Sequence, residues 1–382
     1  MKKNIIISFV TLILLVMFSL NVCAGADTVK FGGIMNLTGH QASMDNPSNN
    51  GALLAIKEIN AKGGVLGMQI DYIVEDGKSD QTAVTNAVQK LISVDKVDVL
   101  IGLADTTYVL AAGAIAQNNK VPYLDVGGTM PSIPDLVGDY QFMACFGDNV
   151  QSAALARFAY DVLDAKTAWL FIDTASDFAV TLADFFKETY LEIGGKIILE
   201  DTYQTGDVDL RAQITRVKNL DPQPDLLVTP TDGSMSGLVV KQIREMGLDL
   251  PIVSGDGFDT PLLKEVAGEL ADNVYYTTHV AFGSDDPIIQ NFIAAYTKEY
   301  GREPESAFCA LGYDATYLMV DAIRRAGSVE GNAVRIALGE TKDLPGVTGM
   351  LSYLNDSRVP TKAVTIMESM KGEINYLQTV MP

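Results

Sequence analysis

Histidine and cysteine are scarce in this chain. Only two histidines, His40 and His279, occur among the 382 residues, and they are far apart with no second metal-ligating residue beside them. A zinc centre or a histidine-dependent catalytic triad is therefore not expected, and we predict neither a metal nor a cofactor. Two of the three cysteines, Cys145 and Cys309, follow the N-terminal apolar segment. They either form a disulfide or stay buried as apolar side chains.

Basic residues are also few. Lysine and arginine total 28 against 48 aspartates and glutamates, which gives a formal net charge of −20. Such a surface repels the phosphates of nucleic acid and the headgroups of an anionic membrane. We expect neither of them as a partner.

The sequence motifs of common enzyme classes are missing or altered. No G-x-x-x-x-G-K-[ST] phosphate loop is present. The segment 233–237 resembles a nucleophile elbow, but Met235 occupies its centre. The glycines of segment 63–67 lie after a helix and before a strand, which is the reverse of a dinucleotide-binding motif. We predict that the protein is not an enzyme, with a hydrolase on the same fold as the competing hypothesis.

The N-terminus has the features of a secretory signal. Lys2 and Lys3 precede an apolar stretch from Ile5 to Leu20, and small residues follow up to Ala26. We predict a signal peptide at residues 1–26 and export from the cytoplasm. Cleavage after Ala24, an uncleaved anchor and a lipoprotein attached through Cys23 are the alternatives.

Apolar strands alternate with amphipathic helices over most of the chain. This alternation predicts parallel sheets covered on both faces by helices. The pattern runs to residue 140 and restarts after residue 150, so the length favours two lobes. We predict an α/β protein with two doubly wound lobes and a hairpin-like C-terminal tail. Residues 37–47 are predicted as a loop and residues 51–61 as a helix.

Small and polar residues follow several of the predicted strands. Hydroxyls, glycine backbone, one aromatic ring and carboxylates suit a ligand with an ammonium group and a polar or anionic end. Each residue also has a purely structural alternative: helix cap for Thr106, turn for Asp232 and Asp256, and core for Phe178. The candidates by position are Thr106, Gly127, Gly128 and Thr129 in the first lobe and Phe178, Asp232 and Asp256 in the second.

Several segments together resemble the branched-chain amino-acid type of periplasmic substrate-binding protein, the type I or Venus flytrap receptors of ABC importers. The resemblance covers nearly all of the chain after the signal segment. The segments that carry it are Leu37-Thr38-Gly39, residues 58–67 (EINAKGGVLG), Val74-Glu75-Asp76, Gly102 before Thr106, residues 243–251 (IREMGLDLP), Gly312-Tyr313-Asp314-Ala315 and residues 345–349 (PGVTG).

The resemblance implies a ligand enclosed between two lobes that three crossovers join, in a monomer that delivers the ligand to the permease subunits of an ABC transporter. Lobe 1 would comprise residues 27–146 and 282–352, and lobe 2 residues 147–281 and 353–382. Thr106 matches the ligand-binding serine of the family, and Phe178 lies near the aromatic residue that closes over the ligand. Gly127, Gly128 and Thr129 match the segment that holds the α-amino and α-carboxylate groups. Asp256 matches the acid that takes the ammonium group.

The chain also departs from the pattern of that family. Met44 stands where many relatives have an aromatic residue, Asp232 replaces another aromatic or small residue, and Asp105 and Asp125 add acids beside the site. The predicted pocket is therefore more acidic, which weighs against leucine, isoleucine or valine. We predict an exported binder of a small amino acid or related amine-bearing solute. A sensory ligand-binding module and a binder of an amide, polyamine or small carboxylate are the alternatives.

Overall fold

The computed structural model of this protein describes residues 28–381. The predicted signal segment at residues 1–26, with Cys23, lies outside that range. None of the helices in the described part combines the length and the apolar character needed to cross a membrane.

Helices and strands alternate along the described chain, as the pattern of apolar residues predicts. The strands are β1 (Thr28–Met35), β2 (Gln69–Asp76), β3 (Val99–Gly102), β4 (Tyr123–Asp125), β5 (Gln141–Met143), β6 (Thr167–Asp173), β7 (Lys196–Tyr203), β8 (Leu226–Val228), β9 (Ile252–Ser254), β10 (Val274–Thr278), β11 (Leu344–Gly346), β12 (Gly349–Leu351), β13 (Val364–Met370) and β14 (Glu373–Val380). The α-helices are α1 (Ala42–Ala61), α2 (Gln81–Lys90), α3 (Thr106–Asn119), α4 (Ile133–Val137), α5 (Asp148–Arg157), α6 (Asp177–Glu192), α7 (Arg211–Lys218), α8 (Gly233–Glu245), α9 (Leu262–Ala267), α10 (Pro287–Tyr300), α11 (Ala307–Ala326) and α12 (Gly331–Gly339).

Lobe 1 is built around a five-stranded parallel sheet in the order β2-β1-β3-β4-β5. All four residues of β3 are buried, because helices cover both faces of a parallel sheet. The chain leaves β1 toward β2 on one side and later returns to β3 on the other. The strand order therefore reverses between β1 and β3, and the carboxyl ends of strands at such a switch point form a ligand-binding crevice.

Lobe 2 is built around a seven-stranded sheet in the order β14-β13-β10-β9-β8-β6-β7. Strands β6 to β10 are parallel, and β13 and β14 add an antiparallel hairpin at the β10 edge. The predicted hairpin-like tail is thereby confirmed. In this sheet the strand order reverses between β6 and β8, which gives lobe 2 a second switch point.

Three segments carry the chain between the two sheets: residues 144–147, 279–286 and 352–363. The prediction of two doubly wound lobes joined by three crossovers is confirmed. The lobe boundaries, at residues 146, 281 and 352, stay a prediction.

The start of α1 differs from the sequence-based expectation. The helix begins at Ala42 and contains Pro47, whereas residues 37–47 were expected to form a loop. Proline removes one hydrogen bond of the helix. Because Met44, Asp45 and Ser48 are buried against the rest of the protein, packing stabilises this turn against the local preference. The structure also adds the helices α4 and α12, which the sequence analysis did not predict.

Helices α1 and α11 cross with their backbones in contact in lobe 1. A side chain at Gly51 would overlap the carbonyl oxygen of Cys309, and one at Gly312 would overlap that of Ser48. Glycine is needed at both positions for the close approach of the two backbones.

Candidate functional site

The carboxyl ends of strands from both sheets meet at the interface between the lobes. They border a narrow cavity of about 10 Å³, and the segments after β3, β4, β8 and β9 each contribute to it. The lining residues are Met44, Ala104, Asp105 and Gly127 from lobe 1 and Phe178, Asp232, Asp256 and Gly257 from lobe 2. We call this space the inner cavity. The structure thus brings six of the nine predicted site residues together around one space.

The other three predicted residues, Thr106, Gly128 and Thr129, belong to the same two loops of lobe 1. The hydroxyls of Thr106 and Thr129 are buried and have no hydrogen-bond partner among the described residues. The N–H of Gly128 donates to Oδ1 of Asp125 at 3.2 Å, and the N–H of Gly127 donates to the carbonyl of Leu103. The two glycine N–H groups are therefore used inside lobe 1, which leaves the two hydroxyls for a ligand.

Asp105 and Asp232 each cap a helix that points its N-terminus at the interface. Oδ1 of Asp105 accepts from the N–H of Thr107 at 2.9 Å at the start of α3, so the cap is Asp105 and not Thr106. Oδ1 of Asp232 accepts from the N–H of Ser234 at 2.9 Å at the start of α8. Aspartate is a preferred cap because its carboxylate satisfies helix N–H groups and opposes the helix dipole.

Asp256 is held by two side chains that sequence reasoning did not select. Nε2 of Gln151 donates to its Oδ1, and Nε2 of His279 lies 2.9 Å from its Oδ2. His279 is fully buried and stacks on Phe146 with ring centroids 3.9 Å apart. Burial lowers the pKa of His279, so the ring is neutral near pH 7 and its Nε2–H donates to the carboxylate.

The sequence positions of His279 and Gln151 were the signal that could have identified them as partners of Asp256. His279 directly follows β10, which ends at the same edge of the sheet as β9, and Gln151 lies in the first turn of α5 after a crossover. Sequence reasoning passed over His279 because the search for histidines was a search for metal sites and triads. A strand end next to the one that carries Asp256 would have pointed to it.

Several buried acids surround the inner cavity. Burial raises the pKa of Asp45 to about 7, and burial together with the charge of Asp232 raises the pKa of Asp105 to about 7. Burial and the charge of Asp256 raise the pKa of Asp148 well above its ordinary value. No lysine or arginine is among the residues that line the cavity. The site therefore favours a cationic group.

A second, outer cavity of about 190 Å³ opens beside the first. It shares Asp105 and Asp232 with the inner cavity, so these two carboxylates stand where the two spaces meet. Its other lining residues are His40, Gln41, Thr107, Tyr108, Ala175, Ser176 and Thr205.

Comparison with known proteins identifies the family. The sequence pattern of the family described as periplasmic binding protein matches residues 28–373 of this chain. The chain belongs to this family. Periplasmic binding proteins are not enzymes, which confirms the prediction from the missing catalytic motifs, and the family is located in the periplasm.

Individual periplasmic binding proteins resemble this chain over almost its full length. A Leu/Ile/Val-binding protein homologue of Brucella abortus is 26% identical over 94% of this chain and 92% of its own. A leucine-binding protein of Thermotoga maritima has a TM-score of 0.88 and 30% identity, covering 93% of this chain and 99% of its own. The substrate-binding protein of a branched-chain amino acid transporter of Streptococcus pneumoniae, solved in complex with isoleucine, has a TM-score of 0.87 and 32% identity over 93% and 100% of the two chains.

Both cysteines of the described part of this periplasmic binding protein are free. Cys145 and Cys309 are buried thiols, and burial raises the pKa of both. Of the two alternatives left open by the sequence, the structure supports buried side chains.

Proposed function

We propose that this periplasmic binding protein captures a small amino acid or a related amine-bearing solute between its lobes and delivers it to the permease of an ABC importer. The observation that carries the proposal is Asp256, a carboxylate only 2% exposed that lines the inner cavity opposite Gly127. A buried carboxylate beside a cavity without lysine or arginine is suited to an ammonium group.

The surroundings of Asp256 support this role. Gln151 and His279 fix its two oxygens, so the carboxylate is oriented before a ligand arrives. The buried hydroxyls of Thr106 and Thr129 in lobe 1 have no partner among the described residues and can donate to a carboxylate. Together with Asp256 in lobe 2, they suit a ligand that is anionic at one end and cationic at the other.

The related structures and the acidic residues of this chain favour different side chains for the solute. One related structure contains isoleucine and another belongs to a leucine-binding protein, which supports an amino acid. In this chain, however, the inner cavity contains Asp105 and Asp232. Buried carboxylates weigh against a purely aliphatic side chain, because an apolar group would leave them desolvated and unpaired.

A calorimetric titration of the variant Asp256→Asn tests the proposal, with the solute first selected in a thermal-shift screen of amino acids, amides, polyamines and small carboxylates. Loss of one charge from a desolvated pair costs about 2–5 kcal/mol. We therefore expect the affinity to fall by about thirty-fold or more. Asparagine still accepts from Gln151 and can donate to the other tautomer of His279, so we expect little change in the ligand-free melting temperature.

Asp286→Asn is the matched control for this experiment. Asp286 is an exposed helix cap at the start of α10, remote from both cavities. Its variant should keep the affinity of the unmodified protein. If Asp256→Asn also kept that affinity, Asp256 would not be part of the binding site.

A further inference from the structure

Two buried carboxylates approach each other from opposite lobes. Asp105 follows β3 at the switch point of lobe 1, and Asp232 follows β8 at the switch point of lobe 2. They are 4% and 1% exposed. Bringing two like charges together away from water is unfavourable unless a cation or a proton compensates for it. Contact between the lobes at this point therefore calls for positive charge.

Hydrogen bonds satisfy the carboxylate of Asp232 only in part. Each aspartate uses Oδ1 in its helix cap. Oδ2 of Asp232 has only long contacts, to Nε2 of Gln41 at 3.4 Å and to Oγ1 of Thr205 at 3.5 Å. The hydroxyl of Thr205 is also bonded to Asp173, so it contributes little to Asp232.

Gln41 supplies an independent indication of a ligand. Its side chain is only 2% exposed and lines the outer cavity, and its Oε1 has no hydrogen-bond partner among the described residues. A buried amide oxygen without a donor costs free energy. A donor from a ligand would satisfy Gln41 and the two carboxylates at once.

His40 is the basic group beside this pair, and it is not a close partner for it. Its Nε2 lies 3.8 Å from Oδ2 of Asp232, too far for a hydrogen bond. The hydroxyl of Tyr108 donates to the carbonyl of Ser79 at 2.8 Å, so it accepts from Nε2 of His40 at 3.1 Å. The N–H of His40 is thereby directed at Tyr108 instead of the carboxylates.

The inner and outer cavities adjoin at Asp105 and Asp232. Asp256, Gly127 and Phe178 line the inner cavity alone, whereas Asp105 and Asp232 line both. Asp256 and the carboxylate pair line the same space, so one solute can contact Asp256 through one nitrogen and the pair through another.

We propose that the solute carries a second cationic nitrogen, remote from its first, and that Asp105 and Asp232 hold this nitrogen between the lobes. The inference rests on the proposed function and narrows it to a basic amino acid or a diamine, which share two cationic nitrogens. When the lobes close around such a solute, its second cationic nitrogen neutralises Asp105 and Asp232. Without that nitrogen, repulsion between the two carboxylates opposes closure.

The test is calorimetric titration at pH 8 of the unmodified protein with L-lysine, L-ornithine, L-arginine and cadaverine, each beside L-norleucine. Norleucine has the carbon chain of lysine without the second ammonium group. We expect at least one of the four probes with two cationic nitrogens to bind about thirty-fold more tightly than norleucine. Cadaverine distinguishes a diamine from a basic amino acid, because it binds as well as the amino acids only if the carboxylate of the solute is not needed.

In the double variant Asp105→Asn/Asp232→Asn this preference should be lost, so that the ratio of the affinities for L-lysine and norleucine falls to about one. Asparagine caps helices as well as aspartate does, so the ligand-free melting temperature reports whether the fold is kept, and Asp286→Asn is the control for loss of a cap charge. Two results would overturn the inference and leave the proposed function intact. One is equal binding of norleucine and the probes with two cationic nitrogens, and the other is a preference for those probes that survives in the double variant. Binding of no probe at all would overturn the inference, whereas the thermal-shift screen and Asp256→Asn decide the proposed function.

Discussion

Asp45 is a carboxylic acid in the interior of lobe 1 without a counterion. Its Oδ2 accepts from the N–H of Asn36 at 2.6 Å, while its Oδ1 has no hydrogen-bond partner among the described residues. Burial raises its pKa to about 7 in the folded protein, against 3.8 ordinarily. Between these two values the folded state holds the proton more tightly than the unfolded state does. Stability therefore falls as the pH rises from about 4 to about 7, and the loss is complete above that.

Replacing Asp45 by asparagine should remove this pH dependence. Asparagine keeps an acceptor for Asn36 and carries no charge. We expect Asp45→Asn to be more stable than the unmodified protein at pH 8, by on the order of 1–3 kcal/mol, with a smaller difference at pH 5. Melting temperatures at the two pH values measure this. The exposed variant Asp286→Asn should show no such pH-dependent gain, and an equal gain for Asp45→Asn at both values would contradict the assignment.

Helix α11 connects the core of lobe 1 with the segment that leads to the third crossover. It crosses α1 at Gly312, and Asp314, two residues later, accepts from the N–H groups of Val347 and Thr348, both at 2.8 Å. These residues form the turn between β11 and β12, just before the chain enters residues 352–363. The packing of α11 thus positions the turn that precedes the third crossover.

Gly312→Ala should destabilise the protein through the helix crossing. The added methyl group overlaps the carbonyl oxygen of Ser48, and overpacking of this kind costs about 1–3 kcal/mol. Gly339→Ala is the matched control, since this helical glycine faces only Phe142 at 3.9 Å. Alanine there should be neutral or stabilising by about 0.5–1 kcal/mol. Thermal unfolding of both variants measures the difference, and equal stability would show that α1 and α11 adjust to each other freely.

The three crossovers pack against one another between the lobes. Nζ of Lys362 in the third donates to the carbonyl of Ala144 in the first at 3.0 Å, and His279 of the second stacks on Phe146 of the first. Because His279 also contacts Asp256, the crossovers are in direct contact with the carboxylate that we propose binds the ligand. On the opposite side, the N–H of Asp177 donates to Oγ1 of Thr107 across the interface at 3.2 Å.

Binding of the solute should therefore change the shape of the whole molecule. We expect the lobes to close on the ligand, since only the closed arrangement brings both sets of polar groups to it. Small-angle X-ray scattering should show a smaller radius of gyration at saturating solute. Asp256→Asn at the same concentration should keep the ligand-free radius. Binding detected by calorimetry without any compaction would contradict closure.

The local order of residues was enough to predict the family, the two doubly wound lobes and the loops that carry the site. Strand and helix patterns are set by nearest neighbours along the chain, and parallel strands place their carboxyl ends at one edge. Thr106, Gly127 and Asp256 were selected as candidates for that reason. The extra acids Asp105 and Asp232 were also visible, because they lie in the loops that follow β3 and β8.

Tertiary structure alone decided how these loops meet. The contact of Asp256 with His279, the pairing of Asp105 with Asp232 across the lobes and the raised pKa of Asp45 all join residues that are distant in sequence or depend on burial. The helical turn around Pro47 was likewise decided by packing, against its local preference. Burial and contacts between distant residues determine charge state and fit, and neither quantity is written in the order of neighbouring residues.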